Sequence, residues 1–400
     1  NFSELGSDLV TNGDFSAAGI NLVSNPNFTD TGSELVTDGD FSSSANWYEG
    51  TGCTISGNQG VFTSAPSGSG FTGDNLNAAI CVIGKSYKVT YTIDSITSGS
   101  VGLRHPFTGT YYDNTSSFPL DVTEYVVADN TSIYIQNSGT TTATISNVSV
   151  KELGEDWTVT EDTGSVTFAN DQVQIISDGS AATGIIQGSI LSIEKSYKVT
   201  IDVASNTNKF KIILGGGSIE VTGTGVQTFY GVGAGTALYI YRVVGEAVDV
   251  VINSISVQEL GEGWTAYTSG TSTVEYNSSG ANLLIDSAAN GGSNVGVYQE
   301  NIFELGKSYK IVLSMKATAS FDAEVVESNL AATENVIGTV SLTTSFQDFT
   351  FYYVGTGTFD LFIHRLYNGG GASQTISIQS VSVQELDPNG YWTLGTGWSI

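Results

Sequence analysis

The sequence predicts an all-β chain of tandem antiparallel β-sandwich modules of the jelly-roll type. Three observations predict it: apolar and polar residues alternate along short segments, turn residues separate these segments, and one pattern recurs through the 400 residues. Gly accounts for 48 residues and Pro for only 5, while 40% of the chain is hydrophobic, which is enough for a core in each module. No long stretch has apolar residues at helical spacing.

The strand pattern is clearest after a Lys-Ser-Tyr-Lys motif that begins at Lys85, Lys195 and Lys307. Consecutive copies are about 110 residues apart, so each repeat has the size of a domain. Apolar residues then occupy every second position, as expected for a half-buried strand. They are Tyr87, Val89, Tyr91 and Ile93; Tyr197, Val199, Ile201 and Val203; and Tyr309, Ile311, Leu313 and Met315.

Each repeat ends in a strand whose apolar residues are spaced by three and then by two. The three sets are Ile145, Val148 and Val150; Ile252, Ile255 and Val257; and Ile378, Val381 and Val383. One extra residue at the same place in each strand predicts a β-bulge. These closing strands, with no flexible linker after them, place modules at residues 34–153, 154–260 and 261–386 and predict a semi-rigid rod.

A Trp marks the start of each module, at Trp47, Trp157 and Trp264, with Trp392 beginning another. Because these residues recur while their surroundings vary, they favour a core position over a ligand contact. Residues 387–400 are therefore interpreted as the start of a further module or as a donated strand.

Residues 1–42 contain three versions of one strand signature, at residues 9–15, 22–28 and 35–41. One copy is enough to open the first module, and no copy precedes the second or third module. The surplus in residues 1–33 indicates either a longer array that has been cut or strands that complement a neighbouring subunit.

The net charge of −27, from 40 acidic and 13 basic residues, disfavours nucleic acid and anionic lipid as partners. No apolar run reaches 18 residues, so we expect no membrane insertion. Cys53 and Cys81 both fall in the first module, where a disulfide is possible and would indicate an oxidising compartment.

The combined pattern resembles the jelly-roll modules of carbohydrate-binding-module type found in tandem in phage virion and tail-fibre proteins and in bacterial surface proteins. It consists of Leu-Val-x-Asn/Asp-Gly-Asp-Phe, a Trp, Gly-Lys-Ser-Tyr-Lys-Val-Thr and Ile-Ser-Asn-Val-Ser-Val-Lys-Glu-Leu. The resemblance implies a two-sheet antiparallel fold. It also implies, for the first module, a structural calcium near Asp38, Asp40 and Asn147, with Asx turns at these positions as the alternative.

Candidate ligand contacts are aromatic and basic residues on the strand before each closing strand, together with two tyrosines of a predicted turn. Packing against a neighbouring module or subunit is the alternative for the first group, and a protein interface is the alternative for the two tyrosines. The candidates are Tyr111, Tyr112, Tyr239, Tyr241, Phe362, His364, Arg242 and Arg365, with Tyr134 at the matching place in the first module.

An enzyme is not expected, because His105 and His364 are the only histidines and lie in different modules. Two functions remain. The first is a structural subunit of an extracellular filament or virion fibre that joins head to tail with copies of itself. The second is a carbohydrate-binding adhesin that gains from multivalency.

Overall fold

The computed structural model describes residues 5–73, 79–104, 110–268, 270–286, 295–330, 334–365 and 373–387. Every regular element in this part of the chain is a β-strand, and all strands named below pair antiparallel. The all-β prediction is therefore confirmed. No helix in the described part is long and apolar enough to cross a bilayer. Residues 388–400, including Trp392, and His105 lie outside the described residues.

The first module contains one continuous, folded sheet, because two of its strands are long enough to contribute to both layers. These are β8 and β11, of 19 and 21 residues. The sheet runs in the order β10-β8-β11-β6-β5, with β7, β4 and β9 attached at the far ends of the long strands. The strands are β4 (Trp47–Glu49), β5 (Cys53–Ser56), β6 (Gln59–Ala65), β7 (Gly70–Gly73), β8 (Ser86–Arg104), β9 (Tyr111–Asp113), β10 (Leu120–Val127) and β11 (Ile133–Leu153).

The second module has two separate sheets, β12-β15-β20-β17-β18 and β13-β14-β21-β16-β19. Their strands are β12 (Thr158–Glu161), β13 (Ser165–Ala169), β14 (Gln172–Ser177), β15 (Thr183–Gln187), β16 (Ser196–Asn206), β17 (Phe210–Leu214), β18 (Gly217–Val221), β19 (Gly225–Val232), β20 (Leu238–Arg242) and β21 (Val248–Leu260).

The third module repeats this arrangement with the sheets β22-β25-β30-β27-β28 and β23-β24-β31-β26-β29. Its strands are β22 (Thr265–Tyr267), β23 (Thr273–Asn277), β24 (Gly280–Ile285), β25 (Gly296–Phe303), β26 (Ser308–Ala317), β27 (Phe321–Ser328), β28 (Glu334–Leu342), β29 (Gln347–Val354), β30 (Phe359–Arg365) and β31 (Gln374–Leu386).

Each module has its own hydrophobic core, formed by the alternating residues that the sequence singled out. All twelve apolar residues that follow the Lys-Ser-Tyr-Lys motifs are at most 1% exposed. Trp47, Trp157 and Trp264 are 5–7% exposed and belong to the three cores, as predicted. The pairing register also shifts by one residue at the predicted place in each closing strand, which confirms the bulges.

The Lys-Ser-Tyr-Lys motif fixes the turn that precedes its strand. The Tyr87 hydroxyl accepts a hydrogen bond from the Val82 amide at 2.7 Å, and Tyr197 and Tyr309 do the same for Ser192 and Glu304. The first Lys of each copy pairs with the Glu of the closing strand. The pairs are Lys85–Glu152 at 2.5 Å, Lys195–Glu259 at 2.8 Å and Lys307–Glu385 at 3.2 Å. The recurrence of this motif is thus explained by the fold.

The three N-terminal signatures each complete a different module, in reverse order. Strand β1 (Leu5–Asp8) pairs with β31 of the third module, β2 (Ala18–Asn21) with β21 of the second, and β3 (Thr31–Glu34) with β11 of the first. Residues 5–41, here called the opening ribbon, therefore run along the whole array. This corrects the sequence-based view that the second and third modules lack an opening strand, since the ribbon supplies one to each.

The same docking contacts recur at all three modules. The bulge leaves one backbone N–H of each closing strand free to donate to the ribbon: Val381 to Gly13 O, Ile255 to Pro26 O and Val148 to Gly39 O, at 2.8–2.9 Å. The side-chain oxygen of Asp8, Asn21 or Glu34 accepts one amide from the ribbon and one from the closing strand.

A Phe of the ribbon then enters each core. Phe15, Phe28 and Phe41 are at most 2% exposed, and their ring centroids lie 4.7–5.7 Å from the centroids of Trp264, Trp157 and Trp47. Their φ angles of 53–58° are left-handed, which costs about 1–3 kcal/mol for a residue other than Gly. Burial of the aromatic ring offsets that cost.

Among the described residues 5–33, these contacts remove the basis for strand donation to a neighbouring subunit. The backbone groups and side chains that would bind a partner are already used within the chain. Sequence reasoning missed this because a strand and its partner that lie more than a hundred residues apart, as all three pairs do, leave no local pattern.

We predict that Phe15→Ala destabilises the third module although residue 15 is more than 240 residues away from it. Loss of the buried ring should cost about 3–5 kcal/mol, as for other large-to-small changes in cores. Hydrogen exchange should accelerate in β31 and remain unchanged in β11. Ile20→Ala, in the same ribbon but 82% exposed, is the matched control and should change neither strand. Faster exchange in β11 alone would contradict the pairing.

Candidate functional site

The outward face of the first module carries a row of side chains across four neighbouring strands. Residues directly opposite each other in an antiparallel pair point to the same face, and the register aligns Tyr48 with Thr72, Thr72 with Tyr134, and Tyr134 with Arg104. Tyr48 is 53% exposed and Tyr134 is half-buried. The Arg104 guanidinium lies 5.9 Å from the centroid of the Tyr134 ring.

A second row lies two residues further along the same face. It aligns Gly70 with Gln136, Gln136 with Gly102, and Gly102 with Tyr111. Both glycines allow the neighbouring backbone to approach closely. A Cβ at Gly70 would lie only 2.1 Å from the Ile135 carbonyl oxygen, so no larger residue fits there.

Together the two rows border a groove of about 270 Å³, here called the module 1 groove. Its lining includes the rings of Tyr48 and Tyr134, the Arg104 guanidinium and the Gln136 amide. The Gln136 Nε2 atom donates to the Gly68 carbonyl at 2.7 Å, which fixes the amide in place. The arrangement offers flat aromatic faces beside polar groups, which suits a ligand with both apolar faces and hydroxyl groups.

Tyr111 and Tyr112, both predicted as contacts, point to opposite faces of β9. Tyr111 is 37% exposed and shares the outward face with Tyr134. Tyr112 packs against the core of the module, and burial raises the pKa of its hydroxyl. Of the two, only Tyr111 therefore lies on the outward face that carries the groove.

Tyr239 and Tyr241 lie on the corresponding outward face of the second module. Both rings are half-buried, and their centroids are 5.5 Å apart in an edge-to-face arrangement. The Tyr241 hydroxyl is 2.9 Å from the Thr160 Oγ1 atom. Both tyrosines lie on β20, which pairs with β15 on one side and β17 on the other. Their side chains alternate with the core residues of this strand, as the sequence predicted.

Phe362 and His364 of the third module differ from the expectation of an exposed aromatic surface. They are 1% and 5% exposed and stack on each other with centroids 4.6 Å apart. Tyr267 and Tyr298 also pack against Phe362. Because aromatic neighbours cover this strand, its side chains serve packing in the third module.

Arg242 and Arg365, predicted as ligand contacts, are also buried, at 9% and 7% exposed. Arg242 donates to the carbonyl oxygens of Ala181 and Ser180 and thereby holds the loop before β15. The prediction erred because strand alternation turns the residue after Tyr241 toward the interior.

The calcium ligands implied for the first module are already engaged in local hydrogen bonds. Asp38 accepts from the Asn46 amide at 2.6 Å. Hydrogen bonding with the Ser42 side chain, and then with the Ser42 backbone amide at 3.0 Å, lowers the pKa of Asp40. The Asn147 amide donates to Thr92 and Ser146. Within the described residues, no three His, Cys, Asp or Glu side chains cluster as metal ligands. The Ser42–Asp40 contact is an Asx turn, the alternative that the sequence left open for this position.

Cys53 and Cys81 are free, buried thiols, so the possible disulfide is not formed in this structure. Cys53 lies in the edge strand β5, while the Cys81 amide bonds to the Thr131 carbonyl near the start of β11. Burial raises the pKa of Cys53 to about 11 and that of Cys81 to about 12, which makes both thiols unreactive.

Several residues of the module 1 groove were missed by sequence reasoning, namely Tyr48, Thr72, Arg104 and Gln136. Tyr48 follows Trp47 directly, so alternation around a buried Trp could have indicated that its side chain faces outward. No local sequence pattern indicates that Arg104 reaches the groove, because this residue lies at the far end of a strand that begins at Ser86.

No protein-family model and no curated protein matches the chain. Among solved structures, it is similar to a CBM4 structure at 18% identity and a TM-score of 0.26, over 31% of this chain and 95% of that one. It is also similar to the N-terminal cellulose-binding domain of a β-1,4-glucanase from Cellulomonas fimi, at 16% identity and a TM-score of 0.26, over 31% and 90% of the two chains.

A third similar structure is the tandem CBM22-1–CBM22-2 domain of Xyn10C from Paenibacillus barcinonensis. It has 11% identity and a TM-score of 0.22, and the match covers 58% of this chain and 94% of that one. The three similar structures are carbohydrate-binding modules, and the assignment of tandem β-sandwiches rests on the strand pairing of this chain itself.

Glu124 is an inward-facing carboxylate in the core of the first module. Glu124 lies opposite Val89 in the strand register. At the equivalent position, the second module has Phe229 opposite Val199 and the third has Phe351 opposite Ile311. Its Oε1 atom is buried without a hydrogen-bond partner among the described residues. Burial raises the pKa of Glu124, and the neighbouring Tyr91 hydroxyl offsets this only in part.

We predict that Glu124 makes the first module less stable as the pH rises. A raised pKa means that the folded state binds the proton more tightly than the unfolded state. The contribution to stability is therefore complete below the ordinary pKa of 4.5 and is lost as the pH rises through the folded pKa. Tyr91 and Tyr112 face this region, and burial raises the pKa of both hydroxyls, so they remain neutral over that range.

Glu124→Gln should remove this pH dependence and stabilise the first module at neutral pH. Thermal unfolding followed between pH 4 and pH 8, roughly the range over which a shifted carboxyl titrates, measures the effect. Asp129→Asn, at an exposed carboxylate of the same module, is the control. Identical pH profiles for the wild type and Glu124→Gln would contradict the prediction.

Proposed function

We propose that the chain is a non-catalytic, extracellular carbohydrate-binding protein whose principal site is the module 1 groove. The observation that carries this proposal is the alignment of Tyr48, Tyr134 and Tyr111 on one outward sheet face, with Arg104 and Gln136 between them. A sugar ring has an apolar C–H face that stacks on an aromatic ring, and hydroxyl groups that bind amide and guanidinium groups.

The groove suits a chain of sugar units better than a compact ligand. Its lining comes from β4, β7, β11 and the end of β8, so the rings of Tyr48 and Tyr134 can stack on successive units, and Tyr111 on β9 lies further along the same face. The net charge of −27 repels anionic ligands at long range. The proposed ligand is accordingly an uncharged oligosaccharide.

The second module supports a weaker, additional site. Tyr239 and Tyr241 are half-buried on the equivalent face, with Lys211 and Glu220 aligned beside Tyr241 by the strand register. Two weak sites on one rigid array would raise the affinity for a polymeric glycan through effective concentration. The third module, with Phe362 and His364 buried, has no such role in this proposal.

We predict that Tyr134→Ala weakens oligosaccharide binding at least tenfold. Loss of one stacking ring should cost about 1.4 kcal/mol or more, which corresponds to a factor of ten. A glycan array of neutral oligosaccharides would first identify a ligand, and calorimetry with that ligand would compare the variants. Tyr48→Ala should weaken binding in the same way.

Tyr230→Ala is the matched control, because Tyr230 is a partly exposed tyrosine on a different sheet of the array. It should leave the affinity unchanged. The proposal fails if the intact chain binds no neutral oligosaccharide at millimolar concentration. It also fails if Tyr134→Ala and Tyr48→Ala both bind as tightly as the wild type.

A further inference from the structure

The two junctions between modules are built from the same contacts. At the first, the Phe168 amide of β13 donates to the Ser86 hydroxyl of the preceding module at 3.0 Å. At the second, the Tyr276 amide of β23 donates to the Ser196 hydroxyl at 2.9 Å. Ser86 and Ser196 are both the Ser of a Lys-Ser-Tyr-Lys motif. At each junction, the end of one module that carries the Lys-Ser-Tyr-Lys motif therefore contacts the edge strand β13 or β23 of the next module.

The surface that receives the edge strand, here called the tail face, contains the same tyrosine in each module. Tyr125, Tyr230 and Tyr352 lie opposite Lys88, Lys198 and Lys310 in the strand register. Tyr125 packs against the core of the second module. The tail face is therefore an acceptor for another sandwich module.

Among the described residues, the tail face of the third module is more exposed than the tail faces of the first two modules. Tyr352 is 65% exposed and Val354 is 43% exposed, while Val127 and Val232 at the matching position are half-buried. Ser308 is partly exposed, whereas Ser86 and Ser196 are buried at 4% and 2% exposed. An exposed aromatic and aliphatic pair of this kind is a typical contact surface.

The complementary half of a junction is present at the other end of the array. Strand β5 is the edge strand of the first module and matches β13 and β23, because Ile55 pairs with Gly60 as Phe168 pairs with Val173 and Tyr276 with Ala281. No module precedes it in the described structure. The Glu49 carboxylate accepts the Ile55 amide at 3.3 Å, a long hydrogen bond that Ser308 would replace.

We infer that a second copy of this chain docks its β5 edge on the tail face of the third module and thereby repeats the internal junction between molecules. The contact joins unlike surfaces, so it does not close and extends head to tail. This mode of assembly needs no strand exchange, because the opening ribbon stays on its own modules. It is independent of carbohydrate binding at the module 1 groove.

Sedimentation velocity of the full chain from about 1 to 200 µM, a range that resolves contacts of micromolar affinity, tests the inference. The expected result is a mass that rises with concentration beyond the dimer. Tyr352→Asp should reduce the self-association at least tenfold, because it places a charge in the apolar contact. Val244→Asp, at a turn residue that is 72% exposed, is the control and should associate like the wild type.

A mixing experiment tests the head-to-tail geometry. Thr54→Arg adds bulk and positive charge at the exposed side of β5, where the matching Thr167 and Glu275 are half-buried at the internal junctions. Tyr352→Asp and Thr54→Arg chains alone should stay monomeric, and their mixture should form dimers and no larger species. A chain that is monomeric throughout the range would overturn the inference. So would self-association that Tyr352→Asp leaves unchanged, or mixtures that grow beyond dimers.

Discussion

The array depends on the β-bulge in each closing strand and on the backbone N–H that it frees. A buried N–H without an acceptor is unfavourable by a few kcal/mol, so the closing strand cannot complete its module alone. The opening ribbon supplies the missing carbonyl oxygen, at Gly13, Pro26 or Gly39, together with a Phe that fills the adjacent core. One irregularity, repeated three times, therefore links residues 5–41 to every module.

This link gives the array a second covalent path beside the closing strands. The junctions already limit movement, because Gly154 and Gly261 turn the chain directly into the next module, with a Phe or Tyr ring against each glycine. Both glycines have positive φ angles, of 71° and 82°, at which a Cβ would also meet that ring at 2.4 Å. The ribbon pairs with the end of each closing strand, and in the first two modules this is directly before the junction glycine.

The modules share this frame but differ on their outward faces. Strands β8 and β11 of the first module extend without a break into the outer layer and present Tyr134, Arg104 and Gln136 across an open surface. The same positions carry half-buried tyrosines in the second module and buried Phe362 and His364 in the third. Structure common to all three modules holds the sandwich together, and variation at the outward face determines which module can bind a ligand. The modules also differ at one inward position, where the first module has the carboxylate of Glu124 and the other two have Phe229 and Phe351.

The sequence by itself determined the all-β class, the strand after each Lys-Ser-Tyr-Lys motif, the buried Trp residues and the bulges. Each of these follows from local periodicity, because a strand with one buried face must alternate and an inserted residue must break the alternation. It also indicated the outward position of Tyr239, Tyr241 and Tyr134. The tertiary structure alone decided which module each opening signature completes, that Arg242 and His364 are buried, and that Tyr48 and Arg104 meet at one groove. These outcomes depend on pairing between strands far apart in the chain, and burial at such positions is set by the partner strand rather than by neighbouring residues.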